Sequence, residues 1–166
     1  AHLAALAQEM RLAQTEVFEV ASFYHHFDIV REGDMAPPAL TVRVCDGLSC
    51  QLAGAAPLLA DLQARLPALL GREDVRVVPA PCIGRCDAAP AALVGRNPVD
   101  AASVETIGTA VARKAIERAK GILQTRFGLD EPASFRWLQK AAMDRRMSMD
   151  AVAAAVIADA EGDAST

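Results

Sequence analysis

Cys45, Cys50, Cys82 and Cys86 are the whole thiol complement of this 166-residue chain, and they fall as two close pairs, C-x4-C in "VRVCDGLSC" and C-x3-C in "CIGRC". Paired thiols at such spacings have three main chemistries. Disulfides need an oxidising compartment. The N-terminus "AHLAALAQEM" lacks the basic start and apolar middle of an export signal, so a cytoplasmic location is expected and disulfides are disfavoured. Zinc takes four thiolates tetrahedrally and tolerates about two to four residues inside each ligand pair. A [2Fe–2S] cluster also takes four thiolates, two on each iron, and being larger than one ion it suits wider loops. Small residues crowd both loops (Gly47, Ser49, Gly54, Gly84, Ala88), which would let backbone N–H groups approach the sulfides of such a cluster. Spacing alone puts iron–sulfur ahead of zinc and leaves a zinc-binding structural protein open. Neither pair has the C-x-x-C spacing of thiol–disulfide catalysts.

The elements that must position these thiols can be read from the pattern. "ALTVRV" alternates, is rich in β-branched residues and runs straight into Cys45; "DVRVVPA" does the same ahead of Cys82. The 31 residues between the pairs hold a helix from about Gln51 to Leu70, disturbed at Pro57 and Pro67. "AALVG" predicts a third short strand. "NPVDAASVETI" predicts a helix start, capped by Asp100 or Ser103. Both cysteine pairs therefore follow strand ends and can meet beyond one edge of a small sheet. Ahead of the sheet, residues 3–14 and Val17–Phe27 have helical spacing, with Val17, Val20, Phe23, Tyr24 and Phe27 forming the apolar face. His25 and His26 are adjacent, share no face, and read as surface residues. The chain begins abruptly on a helical pattern, and a fragment of a longer protein is expected.

Beyond Thr109 the strand signal stops. Ala115, Ile116, Ala119, Ile122 and Leu123 make a helical stripe closed by Gly128. Asp130 caps a second helix with Pro132 in its first turn, lined by Phe135, Leu138 and Ala142 and widened by Trp137 and Ala141. Ser148 caps a third, with Val152, Ala153, Val156 and Ile157 facing inward, and Met143, Met147 and Met149 are expected to pack the bundle. A lone helical Trp such as Trp137 is expected in the core. The fold class is α+β: N-terminal helices and an α/β domain over residues 1–108, then a three-helix bundle over 109–166 ending in a short disordered tail.

Charge divides the same way. Residues 1–108 carry 8 basic and 13 acidic residues, net −5; residues 109–158 carry 9 basic and 5 acidic, net +4; three acids follow from Asp159, giving the overall −4. Such a shift suggests modules with different partners. No run reaches the about 20 apolar residues of a membrane span, so no membrane insertion is expected. No Ser/His/Asp order, paired carboxylate or glycine-rich phosphate loop is present, so the chain holds no complete active site of its own.

From Val17 to Ile107 the chain resembles the thioredoxin-like [2Fe–2S] subunits of NADH dehydrogenase (respiratory complex I), of NAD-linked formate dehydrogenases and of bidirectional hydrogenases. The resemblance runs through "VFEVASFYHHF", "VRVCDGLSCQLAGA", "APCIGRCDAAPAALVG" and "NPVD", in order. It implies a thioredoxin-like fold, Cys45, Cys50, Cys82 and Cys86 as ligands of a [2Fe–2S] cluster, single-electron transfer, and an NADH/FMN-binding oxidoreductase subunit as partner. The family's first helices are largely missing. Lys114 to Ile157 resembles the ANTAR domain of bacterial antitermination regulators, through "AKGIL", "ASFRWLQKAAM" and "AVAAAVI". That resemblance implies binding to hairpin RNA, usually as a homodimer. Lys120, Arg136, Lys140, Arg145 and Arg146 are the candidate RNA-binding residues, with a solvated helix face as the plainer reading of the same charges. Three readings of the whole follow: an electron-transfer module with a helical extension, a redox-responsive antitermination regulator, and an artificial chimera whose halves do not communicate.

Overall fold

The computed structural model describes residues 2–31, 33–35, 37–70 and 75–164. They form an α+β fold of seven helices and one four-stranded mixed sheet. The chain divides into two compact units, residues 1–39 and 40–166.

The first unit is a helical pair, α1 (His2–Met10) and α2 (Gln14–Phe23). One helix over 3–14 was expected, but Arg11 takes a left-handed conformation (φ 56°) and closes α1 early. Glu16 Oε2 then accepts from the Ala13 N–H at 3.0 Å and fixes the start of α2. The second helix was expected to reach Phe27. It stops at Phe23 because Tyr24 is extended, and the rings of Phe23, Tyr24 and Phe27 stack edge to face instead. Of the expected apolar face only Val17 is buried. His25 and His26 lie in the following turn, exposed.

The second unit is built on β1 (Leu40–Cys45), whose residues are buried or nearly so because it lies inside the sheet, paired on both edges. β2 (Val75–Ala80) pairs with it in parallel, Leu40 opposite Val75 and Cys45 opposite Ala80. A parallel pair needs a crossover, supplied by α3 (Leu48–Leu52) and α4 (Ala55–Leu70). The single helix expected over 51–70 is thus two, starting earlier and broken at Gly54 rather than at either proline; Pro57 falls in the first turn of α4, where its missing N–H is harmless. β3 (Ala92–Val94) lies antiparallel on the other side of β1. It turns through Gly95 and Arg96 into β4 (Asn97–Val99), at the sheet edge. That strand lies where a helix start was expected; it is three residues long and contains a proline, which an edge strand tolerates. The sheet order is β2-β1-β3-β4.

The helix begins later, as α5 (Val104–Phe127). Ser103, not Asp100, caps it: Ser103 Oγ accepts from the Thr106 N–H at 3.1 Å, and Thr106 Oγ1 accepts from the Ser103 N–H at 2.9 Å. Gly128 ends it at φ 64°, donating its N–H to the Gln124 carbonyl. Asp130 caps α6 (Glu131–Arg145) through the Ala133 N–H at 2.7 Å. α7 (Met149–Ala164) follows Ser148. A tail was expected from Asp159, yet α7 continues past Asp159, Glu161 and Asp163 to Ala164.

Two apolar cores result. Val42, Val44, Leu62, Leu66, Val94, Ile107 and Val111 belong to the core of the sheet. Ala115, Ala119, Leu123, Leu138, Val152, Ala153 and Ile157 form the other. α5 serves both without a break, passing from one core to the other between Val111 and Ala115.

Candidate iron–sulfur site and candidate RNA-binding face

The site grows out of strand pairing. One step past the last β1–β2 pair, the Asp46 N–H still donates to the Ala80 carbonyl at 2.8 Å, so the chains leaving β1 and β2 depart side by side. One carries Cys45 at the strand end and Cys50 inside α3; the other carries Cys82 and then Cys86, which opens a 3-10 turn (Cys86–Ala88). Gly47 sits between them. A Cβ there would lie 3.2 Å from Cys82 Cβ and 3.4 Å from Cys45 Sγ. The small residue is needed for this close approach.

All four thiols gather here. Cys45 interacts with both Cys50 and Cys82, and Cys82 Sγ stands 3.5 Å from Cys86 Sγ. Two sulfurs at about 2.3 Å from one tetrahedral metal would be about 3.8 Å apart, so the exposed pair is spaced for a shared metal. Cys45 and Cys50 are buried, Cys82 and Cys86 exposed. The surroundings treat them differently. Burial pushes the Cys50 thiol up, against the Ala91 N–H, which favours the thiolate. The Gly84 N–H, then the Cys86 thiol, holds Cys82 below its ordinary value. Cys86 is raised by its hydrogen bond to Cys82 and that neighbour's charge, partly offset by Ser49. Backbone N–H groups of Ala91 and Gly84 and the Ser49 hydroxyl thus serve the cysteine sulfurs. Among the described residues, no three His, Cys, Asp or Glu side chains are grouped to hold a single metal ion.

Sequence reasoning did not foresee the brace on this loop. Arg85, between Cys82 and Cys86, donates from Nε to Asp100 Oδ1 at 2.9 Å and pairs through Nη2 with Oδ2. The Ala101 and Ala102 N–H groups donate to the carbonyls of Ala88 and Pro90. The thiol-bearing loop is therefore tied to the segment that leads into α5. Nothing local marks Asp100 for this pairing, 15 residues from Arg85.

Gly47→Val is expected to fold and to bind less than half the wild-type iron, because its methyls would enter the gap between Cys45 and Cys82 while the core stays intact. Iron content per chain, with circular dichroism as the fold control, checks this.

The candidate RNA-binding residues separate. Arg136 and Lys140 are exposed on α6, with Arg145 at its end and Arg146 just after it. Arg146 holds the left-handed closing position (φ 54°). Lys120 is on α5, mostly buried, with Nζ 2.7 Å from Glu131 Oε1, so it fastens the start of α6. Several residues expected in the bundle core are outside it. Trp137 is 42% exposed and Phe135 41%; Met143 and Met147 are exposed, while Met149 packs against the core. On α6 the core takes only Leu138, Ala141 and Ala142, which join Ala115, Ala119 and Leu123 of α5 and Val152, Ala153 and Ile157 of α7.

No helix of the described residues is long and apolar enough to cross a membrane. Residues 108–157 match the family model of the ANTAR domain. Over 45 residues the chain is 58% identical to the transcriptional regulatory protein PdtaR of Mycobacterium tuberculosis, in strains H37Rv and CDC 1551; the match covers 27% of this chain and 22% of that protein. Among solved structures, the NAD+-reducing [NiFe]-hydrogenase in its air-oxidized and H2-reduced states aligns at 26% identity with a TM-score of 0.48, covering 66% of this chain and 19% of that one. Residues 1–115 match the model of the thioredoxin-like [2Fe-2S] ferredoxin family, which overlaps the ANTAR match inside α5. By that match, over more than half its length, the chain belongs to the thioredoxin-like [2Fe-2S] ferredoxin family.

Proposed function

We propose that this protein is a redox-responsive RNA-binding regulator of the cytosol, in which a [2Fe–2S] module over residues 1–108 controls an ANTAR module over 109–166. Cys45, Cys50, Cys82 and Cys86 hold the cluster. Family membership, the convergence of the four thiols and the exposed pair's spacing support this assignment. Bound there, the cluster supplies one-electron chemistry. This chain's own groups set the sulfur environment: the Ala91 and Gly84 N–H groups and Ser49 stabilise negative charge on sulfur, and burial at Cys50 opposes it.

One observation carries the regulatory reading. α5 is a single helix whose lead-in segment is braced to the thiol loop and whose second half lies in the bundle core. A change at the sulfurs has a continuous mechanical path to the RNA-binding helices. Coupled sites typically differ by about 5- to 150-fold in affinity. Hairpin RNA binding measured with the cluster oxidised, reduced and removed should differ within that range; equal affinities in all three states overturn the proposal.

A second reading, an electron-transfer component of an NAD-linked oxidoreductase of the NADH dehydrogenase or formate dehydrogenase type, is favoured by the exposed side of the site. Cys82 and Cys86 are open to solvent, and Leu48 and Leu52, either side of Cys50 in α3, are 73% and 82% exposed. Such an apolar rim suits docking against an NADH/FMN-binding subunit. Rapid reduction of the cluster by an NADH-driven flavoprotein, with RNA affinity unmoved, selects this reading.

A further inference from the structure

Trp137 is the chain's sole tryptophan, lies outside the bundle core and is 42% exposed. A bare indole face wastes apolar area that its helix could have buried. Its neighbours explain what it can do there. Arg136 is adjacent, Lys140 is three residues on, and both are exposed. Residues three and four apart share a helix side, so Lys140 lies beside both Arg136 and Trp137. Leu138 and Ser134 take the inward side. The strip reads cation–aromatic–cation, in a module whose net charge is +4 over residues 109–158. Asp144, one turn beyond Lys140, is the acidic group that bounds it.

This pattern selects among nucleic acids. Bases inside a duplex are already stacked, and the deep groove of A-form RNA excludes side chains, whereas unpaired loop bases offer a free face to an aromatic ring. We infer that Trp137 is the stacking platform for one unpaired base of an RNA loop, with Arg136 and Lys140 on the flanking phosphates. The inference rests on the reading that the bundle binds RNA, and it assigns that binding to a face and to a loop rather than a stem.

The sole tryptophan makes the test direct. Stem–loop RNAs with a randomised loop are selected on the full cluster-loaded chain; binding is followed by anisotropy of labelled RNA and stacking by Trp137 emission. The selected loop should quench that emission at saturation, and a fully paired duplex containing the same sequence should not. Trp137→Ala and Trp137→Leu should each weaken binding about 5- to 150-fold with the salt dependence unchanged, while Trp137→Phe keeps most of the affinity. Lys140→Ala should flatten the salt dependence by roughly the share of one phosphate contact and preserve the quenching. A residue that only packs would tolerate leucine at least as well as phenylalanine, and that result overturns the inference. Tight binding with no change in emission, or equal quenching by the duplex, overturns it with RNA binding intact. Emission that shifts with protein concentration and not with RNA puts a second copy on the strip and overturns it too. Failure of every selected RNA to bind defeats the RNA reading itself.

Discussion

Serine in place of Cys50 is expected to leave the anaerobically purified protein nearly free of iron and acid-labile sulfide, without its visible absorption. Cys50 is 1% exposed and receives the Ala91 N–H, so no solvent oxygen can stand in for the missing sulfur. A hard hydroxyl is a poor substitute for a soft thiolate. Cys45→Ser, equally buried, should behave the same way. Cys86→Ser is milder, because Cys86 is exposed and water can complete the coordination. The expected order of retained iron is wild type, then Cys86→Ser, then the two buried variants. Iron and sulfide analysis with paramagnetic resonance of the reduced protein measures it. Full iron in Cys50→Ser would remove that residue from the ligand set; one zinc and no sulfide in the wild type would replace the two-iron assignment.

Leu138→Ala should cost about 2–5 kcal/mol, confined to the C-terminal bundle. Leu138 is fully buried in a core otherwise made of Leu123, Ile157, Val152 and three alanines. Alanines contribute little burial, so one leucine is a large share of the total. The sheet core contains none of these residues. Thermal unfolding followed by far-ultraviolet circular dichroism should show the loss of bundle helix first, while the cluster's visible absorption persists to higher temperature. A single coincident transition would mean that α5 welds the two cores into one cooperative unit.

These outcomes depend on features that differ in how plainly they are written in the chain. The thiol quartet, the strands that deliver it and the caps at Ser103, Gly128 and Asp130 were all legible, because each depends on residue type within a few positions. The edge strand β4 was not: three residues including a proline carry no alternation. The breaks at Arg11 and Gly54 were not legible, because a positive φ at an arginine has no local signature and Pro57 and Pro67 are nominally stronger helix breakers than the glycine. Trp137 and the exposed methionines were misplaced for a different reason. Helical periodicity says which residues share a side, but how wide a side gets covered depends on the partner helices, and here α5 and α7 cover α6 only at Leu138, Ala141 and Ala142. The Arg85–Asp100 brace joins residues that only the fold brings together.

Because α5 is one unbroken rod, the angular bearing of the Arg136–Trp137–Lys140 strip relative to the sulfur rim is fixed by counting residues. Each residue added between Val111 and Ala115 would lengthen the rod by about 1.5 Å and swing everything downstream by about 100°. Seven added residues would bring the bearing back to within about 20°. Length changes at this junction should therefore be tolerated in steps of whole heptads, as in a shaft whose two gears must stay in mesh.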